Sequence, residues 1–124
     1  MLSLQPLRIP GGWIIEWNTL YETSRAERGD FGGSSVFRAV NERQRFSVDV
    51  EFRPEFDPDG KFHLVVVYQP WPRTERGRRR TNLPFLFDGS AETVHDAEMP
   101  DYATMIAELE RWLARCSGWM REGN

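Results

Sequence analysis

Two alternating runs joined by a short link constrain this chain more than any other feature. Residues 46–68 read FSVDVEFRPEFDPDGKFHLVVVY. In the first run Phe46, Val48, Val50 and Phe52 share one parity, and Ser47, Asp49, Glu51 and Arg53 share the other. In the second, Phe62, Leu64, Val66 and Tyr68 face one way and His63, Val65, Val67 and Gln69 the opposite way. A period of two in β-branched and aromatic residues predicts half-buried strands. The link, residues 54–60, holds Pro54 and Pro58 and ends in Asp59-Gly60, which is turn chemistry. Pairing Phe52 with Phe62, Val50 with Leu64, Val48 with Val66 and Phe46 with Tyr68 collects the large apolar side chains on one face. A slip of one residue turns one apolar set over and is excluded. A slip of two is not, and the unslipped register sets Arg53 beside Lys61, a mildly unfavourable pair.

The 124 residues are expected to form a single domain over 1–124, long enough to bury a core without covalent staples. Cys116 is the only cysteine, so neither an internal disulfide nor a multi-cysteine metal motif is available. No run reaches the length of a membrane span, and MLSLQPLRIPGG lacks an apolar core followed by a cleavage site. A cytoplasmic location is the expectation. The charge is uneven: residues 73–80 (RTERGRRR) carry a local +4, against −7 for the rest of a chain whose net charge is −3. An acidic body favours basic partners, and the basic loop acidic ones.

Ahead of the central pair, Trp13 to Tyr21 alternates and predicts a strand with an aromatic side, buried in part on both faces. Residues 22–35 (ETSRAERGDFGGSS) read as a polar, glycine-rich loop with Phe31 as its apolar anchor. Val36–Asn41 is short, readable as strand or helical turn, and favours a strand leading through a tight link into the central pair. After Tyr68, Pro70 and Pro72 forbid an interior strand. The piece from Asn82 to Phe87 suits a sheet edge or a cover over the core, and Asp88 to Met99 reads as polar linker. From Pro100, a first helical position, with Asp101 in the first turn, Tyr102, Met105, Ile106, Leu109, Trp112, Leu113 and Cys116 recur at helical spacing, and Gly118 ends the run. The predicted architecture is α+β: an antiparallel four-stranded meander with a C-terminal amphipathic helix packed on one face.

Catalytic and metal chemistry find little footing. His63 and His95 are the only histidines and occupy no ligand spacing. His63 falls beside Glu51 as a cross-strand polar pair, and His95 reads as surface. Cys116 sits on the apolar stripe, as a structural thiol does. Asp49 and Glu51 share a strand face about 7 Å apart, a separation that glycosidases use but that any polar strand face produces. Gly29-Asp-Phe-Gly-Gly33 matches no phosphate loop. No metal or other cofactor is expected. The arginine loop is dense enough to meet phosphates, with Trp71 before it as a candidate stacking ring.

The segments RIPGGWIIEWNTLYE, RFSVDVEFRPEFDPDGKFHLVVVYQPWPRTERGRRR and ELERWLARC resemble small bacterial immunity proteins, which accompany contact-dependent growth-inhibition and related polymorphic toxins. The resemblance covers about two thirds of the chain by pattern and rests on no catalytic motif. It implies a protein without enzymatic activity that binds and neutralises the C-terminal domain of a cognate toxin, typically a nuclease. Because these proteins differ in fold, it carries over no binding residues. From the residues themselves the candidate contacts are Glu16, Asp49, Glu51 and His63 on the polar sheet face, with Trp17 as an aromatic anchor. Arg76, Arg78 and Arg79 are candidates on the loop, where they would pair with a partner's carboxylates. The competing reading is a small nucleic-acid-binding protein or hydrolase using loop 73–80 with His63 and Glu51.

Overall fold

The central pair forms as its pattern requires. A computed structural model describes residues 4–20, 35–53, 60–99 and 101–118. Its elements are β1 (Ile14–Asn18), β2 (Ser35–Asn41), β3 (Phe46–Arg53), β4 (Lys61–Tyr68), β5 (Glu92–Met99) and α1 (Tyr102–Ser117). The β3–β4 register is Phe46 with Tyr68, Val48 with Val66, Val50 with Leu64 and Phe52 with Phe62. The unslipped pairing is therefore adopted, Arg53 beside Lys61 included. Phe52 and Phe62 also meet ring to ring at 5.0 Å, and Phe46 and Tyr68 at 5.1 Å, contacts that only this register provides.

The sheet has five antiparallel strands in the order β1-β2-β3-β4-β5, one more than the pattern predicts. The fifth corrects the reading of Asp88–Met99 as linker. In β5, His95, Ala97 and Met99 face inward opposite Val66, Leu64 and Phe62, while Asp96 and Glu98 face outward. Met99 is the one large apolar residue of its inward set, beside a histidine and an alanine, and Asp96 and Glu98 outside are charged, the composition of a protected edge strand, so apolar alternation is weak.

The opposite edge, β1, is shorter than predicted and carries a bulge between Ile15 and Trp17. It is an edge and not a covered strand, so Ile14, Ile15 and Trp17 are exposed. A bulge reverses the facing of the residues after it, which sends Trp17 to the outer side. Of the loop expected over residues 22–35, Ser35 instead opens β2; residues 22–34, the prolines of the central link, Tyr21 and Pro100 lie outside the described residues.

Helix α1 lies across the inner face. Met105, Leu109, Leu113 and Cys116 are fully buried against Phe37, Val48, Val50, Phe52 and Leu64 in one core cluster. Asp101 is the N-cap and not a first-turn residue: its side chain accepts the Thr104 amide at 2.7 Å. The helix ends at Ser117, with the Gly118 amide on the Arg115 carbonyl. The Trp13 indole N–H donates to Ser117 Oγ at 2.8 Å, tying the segment before β1 to the end of the helix. His95 is not a surface residue: its ring stacks on Trp112 at 4.6 Å.

Candidate functional site

With α1 covering one face, the other face of the sheet is where exposed chemistry gathers. Strand registers set its side chains in cross-strand rows. One row runs Trp17, Arg38, Asp49, Val65, Asp96, and the next Ser35, Glu51, His63, Glu98. Beyond them Arg53 sits beside Lys61. Glu16, the bulge residue, reaches the same face through its bond to Arg38. The five sheet candidates, Glu16, Trp17, Asp49, Glu51 and His63, are thus brought together on one surface.

Arg38 organises the first row. Its Nε donates to Glu16 Oε1 at 2.8 Å and its Nη1 to Asp49 Oδ2 at 3.3 Å, while Ser35 Oγ donates to Asp49 Oδ1 at 3.0 Å. Burial raises the Asp49 carboxyl above its ordinary range, against the lowering effect of the Ser35 and Arg38 bonds. Arg53 donates to both oxygens of Glu51. His63 stands beside Glu51 in register, but its Nε2 lies 3.6 Å from Glu98 Oε2, on the strand expected to be linker. Lys61 reaches the other Glu98 oxygen at 3.4 Å.

Glu16, Asp49, Glu51, Asp96 and Glu98 give this face five carboxylates against the cations Arg38, Arg53 and Lys61. The Asp96 carboxylate makes no ion pair among the described residues, which leaves the face acidic. Trp17 stands at its β1 margin, 53 % exposed. Arg38, Asp96 and Glu98 escape the sequence reading. The signal for Arg38 is its parity opposite Asp49; the others require β5.

The arginine loop is a separate structure. Gln69, at the end of β4, is buried, and its Nε2 donates to Asp88 Oδ1 at 3.1 Å and Ser90 Oγ at 2.9 Å while its Oε1 accepts the Asp88 amide. Residues 70–87 therefore leave and return at one point. Bonds from the Ser90 hydroxyl and amide, then from Gln69, hold the Asp88 carboxyl below its usual range. Within the excursion Arg73 and Arg79 form a bridge, the Thr74 amide donates to Arg78 O, and Gly77 (φ 82°) donates to Thr74 O. This is a small hairpin turned by a left-handed glycine. Phe85 and Phe87 pack edge to face at 4.9 Å, with Phe87 against Arg38, so the 82–87 piece lies on the outer side of the sheet and not over the core.

Arg45 ties this excursion to the sheet. It occupies the left-handed region (φ 70°) at the end of the β2–β3 turn and is only 4 % exposed. Its Nε donates to Gln69 O at 3.1 Å and one Nη to Pro70 O at 3.3 Å. Its guanidinium lies against both Trp71 and Phe85. Burial lowers its pKa, an effect opposed by the charges of Tyr68, Asp88 and Glu42. Arg79 also lies on Trp71, at 5.5 Å, so two guanidiniums contact the ring expected to stack on a base. Nothing in the turn's sequence marks Arg45, since its partners lie more than twenty residues away.

Arg76, Arg78 and Arg79 are exposed but do not join the sheet candidates. They extend from the Tyr68 end of β4, whereas Glu51 and His63 lie toward its other end, about 16 Å of strand away at ~3.3 Å per residue. No ion pair links the two groups among the described residues. Among the described residues no cluster of histidine, cysteine, aspartate and glutamate could hold a metal ion, and no helix is long and apolar enough to cross a membrane. Burial pushes the Cys116 thiol up to about 12, so it presents no thiolate nucleophile near neutral pH. No family model, curated protein or solved structure matches the chain.

Proposed function

We propose that this chain is an immunity protein that neutralises a cognate toxin domain, a nuclease, by forming a stoichiometric complex with it. The observation that carries this reading is the gathering of Glu16, Trp17, Asp49, Glu51 and His63 on one solvent-facing sheet surface with an excess of carboxylates. A nuclease holds phosphates with cationic side chains. An acidic face offers those cations an alternative to phosphate and speeds encounter through long-range attraction. Trp17 supplies the large, half-exposed aromatic that an interface buries to gain affinity. The ion pairs through Arg38 and Arg53 hold the carboxylates in place before binding, which lowers the entropy lost on association. Residues 102–118, in this reading, serve the fold, and the outer sheet face serves recognition. The role requires no catalytic group.

The test is co-expression. A neighbouring reading frame that encodes a large secreted protein with a variable C-terminal domain identifies the partner. Expressing that domain alone should arrest growth, and this chain should restore it and co-purify with the domain at one to one. Continued arrest, with no complex on size-exclusion chromatography, would sink the proposal.

A further inference from the structure

We propose that the arginine hairpin and the adjoining 82–87 piece form a second docking surface, one that receives a carboxylate cluster set beside an apolar patch on a partner protein. This inference goes beyond the sheet face and does not depend on it. The hairpin is a built element: its backbone is bonded across at Thr74–Arg78 and Arg80–Pro72, and Arg73 donates to the Gly77 carbonyl. Its base is held by the Gln69 bonds to Asp88 and Ser90 and by Arg45 against Trp71 and Phe85. Five arginines, Arg73, Arg76, Arg78, Arg79 and Arg80, are exposed on it, and none forms an ion pair among the described residues. Guanidiniums without carboxylate partners on a bonded hairpin suit bidentate contact with planar anions, carboxylate or phosphate.

Two observations favour carboxylates on a protein over nucleic acid. Trp71, the aromatic ring at the hairpin's base, is contacted by Arg45 and Arg79 and is not a free platform for a base. Leu83 and Leu86 come directly after the hairpin, 40 % and 69 % exposed, and join it through the Phe85–Arg45–Trp71–Arg79 series of contacts. Exposed leucines beside arginines match the apolar centre and arginine-enriched makeup of protein interfaces, whereas they offer a phosphate backbone nothing.

The test compares two probes on the whole chain: a fluorescein-labelled peptide rich in glutamate and leucine, and labelled single-stranded DNA and RNA of equal charge. Binding is monitored by anisotropy at roughly physiological ionic strength. The peptide should bind more tightly than either oligonucleotide. Replacing Arg76→Glu, Arg78→Glu and Arg79→Glu together should weaken it by about tenfold or more, and Leu86→Ser by a few fold, with melting temperatures unchanged. Arg111→Glu, a charge reversal on α1, should have little effect. Tighter, steeply salt-dependent binding of an oligonucleotide would overturn the inference in favour of nucleic acid. Binding of neither probe, or peptide binding insensitive to the triple change, would overturn it outright. Self-association that disappears in the triple variant would assign the hairpin to a second copy of the chain instead.

Discussion

The guanidinium carbon of Arg45 stands 4.5 Å from the ring centroid of Trp71 and the same distance from that of Phe85. One cation thus serves two rings from a long excursion, while its nitrogens bond the carbonyls of Gln69 and Pro70. Residue 45 closes the β2–β3 turn in the left-handed region, a conformation that disfavours side chains with a Cβ. The clamp's benefit exceeds that backbone strain. Charge-assisted hydrogen bonds contribute about 1.5–3 kcal/mol each, and a desolvated cation on an aromatic ring about 2 kcal/mol.

Arg45→Lys keeps the charge and the backbone preference but loses the planar fork. We expect a loss of about 2–3 kcal/mol in urea unfolding, with a tryptophan emission change from Trp71. A stability within about 0.5 kcal/mol of the parent, the range of ordinary surface substitutions, would show that the clamp does not hold the excursion.

Asp49 gives a pH prediction whose sign is set by its burial, which outweighs the opposing bonds from Ser35 and Arg38. Burial raises its carboxyl above the ordinary value of 3.8. Between 3.8 and the raised value the folded protein binds more protons than the unfolded chain. The contribution of this group to stability therefore falls as pH rises through that window and is level above it. Asp49→Asn removes the titration. The unfolding free energy of the variant minus that of the parent should climb across the window and then plateau, as read from urea titrations at stepped pH. A difference that stays flat, or falls, would mean that the Arg38 and Ser35 bonds outweigh burial.

The central pair is legible because eight large apolar residues at strict alternation leave one parity, and the helical stripe because Met105, Leu109, Leu113 and Cys116 recur at the helical period. Both signals are local. β5 is not legible: the inward His95 and Ala97 have neither the bulk nor the branching pattern of a core strand, and only the neighbouring β4 makes them one. The outer face is half legible, since parity alone places Asp49, Glu51 and His63 together. Trp17 is placed only conditionally, because the bulge that sends it outward has no sequence mark. Arg45 is invisible for a different reason. Its partners belong to a later segment with no periodicity of its own, so no short-range rule connects them.

His95 offers a substitution that should stabilise. Its Nε2 is buried with no hydrogen-bond partner among the described residues, while the ring packs on Trp112. A buried polar atom without a partner costs about 1–3 kcal/mol. His95→Phe removes that atom, retains an aromatic surface for Trp112 and raises strand preference on β5. We expect a gain of about 1 kcal/mol in thermal or urea unfolding. A loss would indicate that β5 and α1 lie too close for the larger ring.

The sheet-face reading separates into a rate and an anchor, and each has its own variant. Asp96 has no ion-pair partner among the described residues, so Asp96→Lys should mainly slow association with the toxin domain identified by co-expression. The effect should shrink as salt is raised. Trp17 is 53 % exposed at the β1 margin, and the proposed function makes it an anchor for the partner with no part in the core. Trp17→Ala should therefore leave folding nearly unchanged and weaken binding by about 2 kcal/mol, roughly thirtyfold, chiefly through faster dissociation. Surface plasmon resonance separates the two rates. If a one-to-one complex forms yet both variants bind with parental kinetics, the interface lies off this face; the arginine hairpin, at the other end of β4, is then the surface to vary.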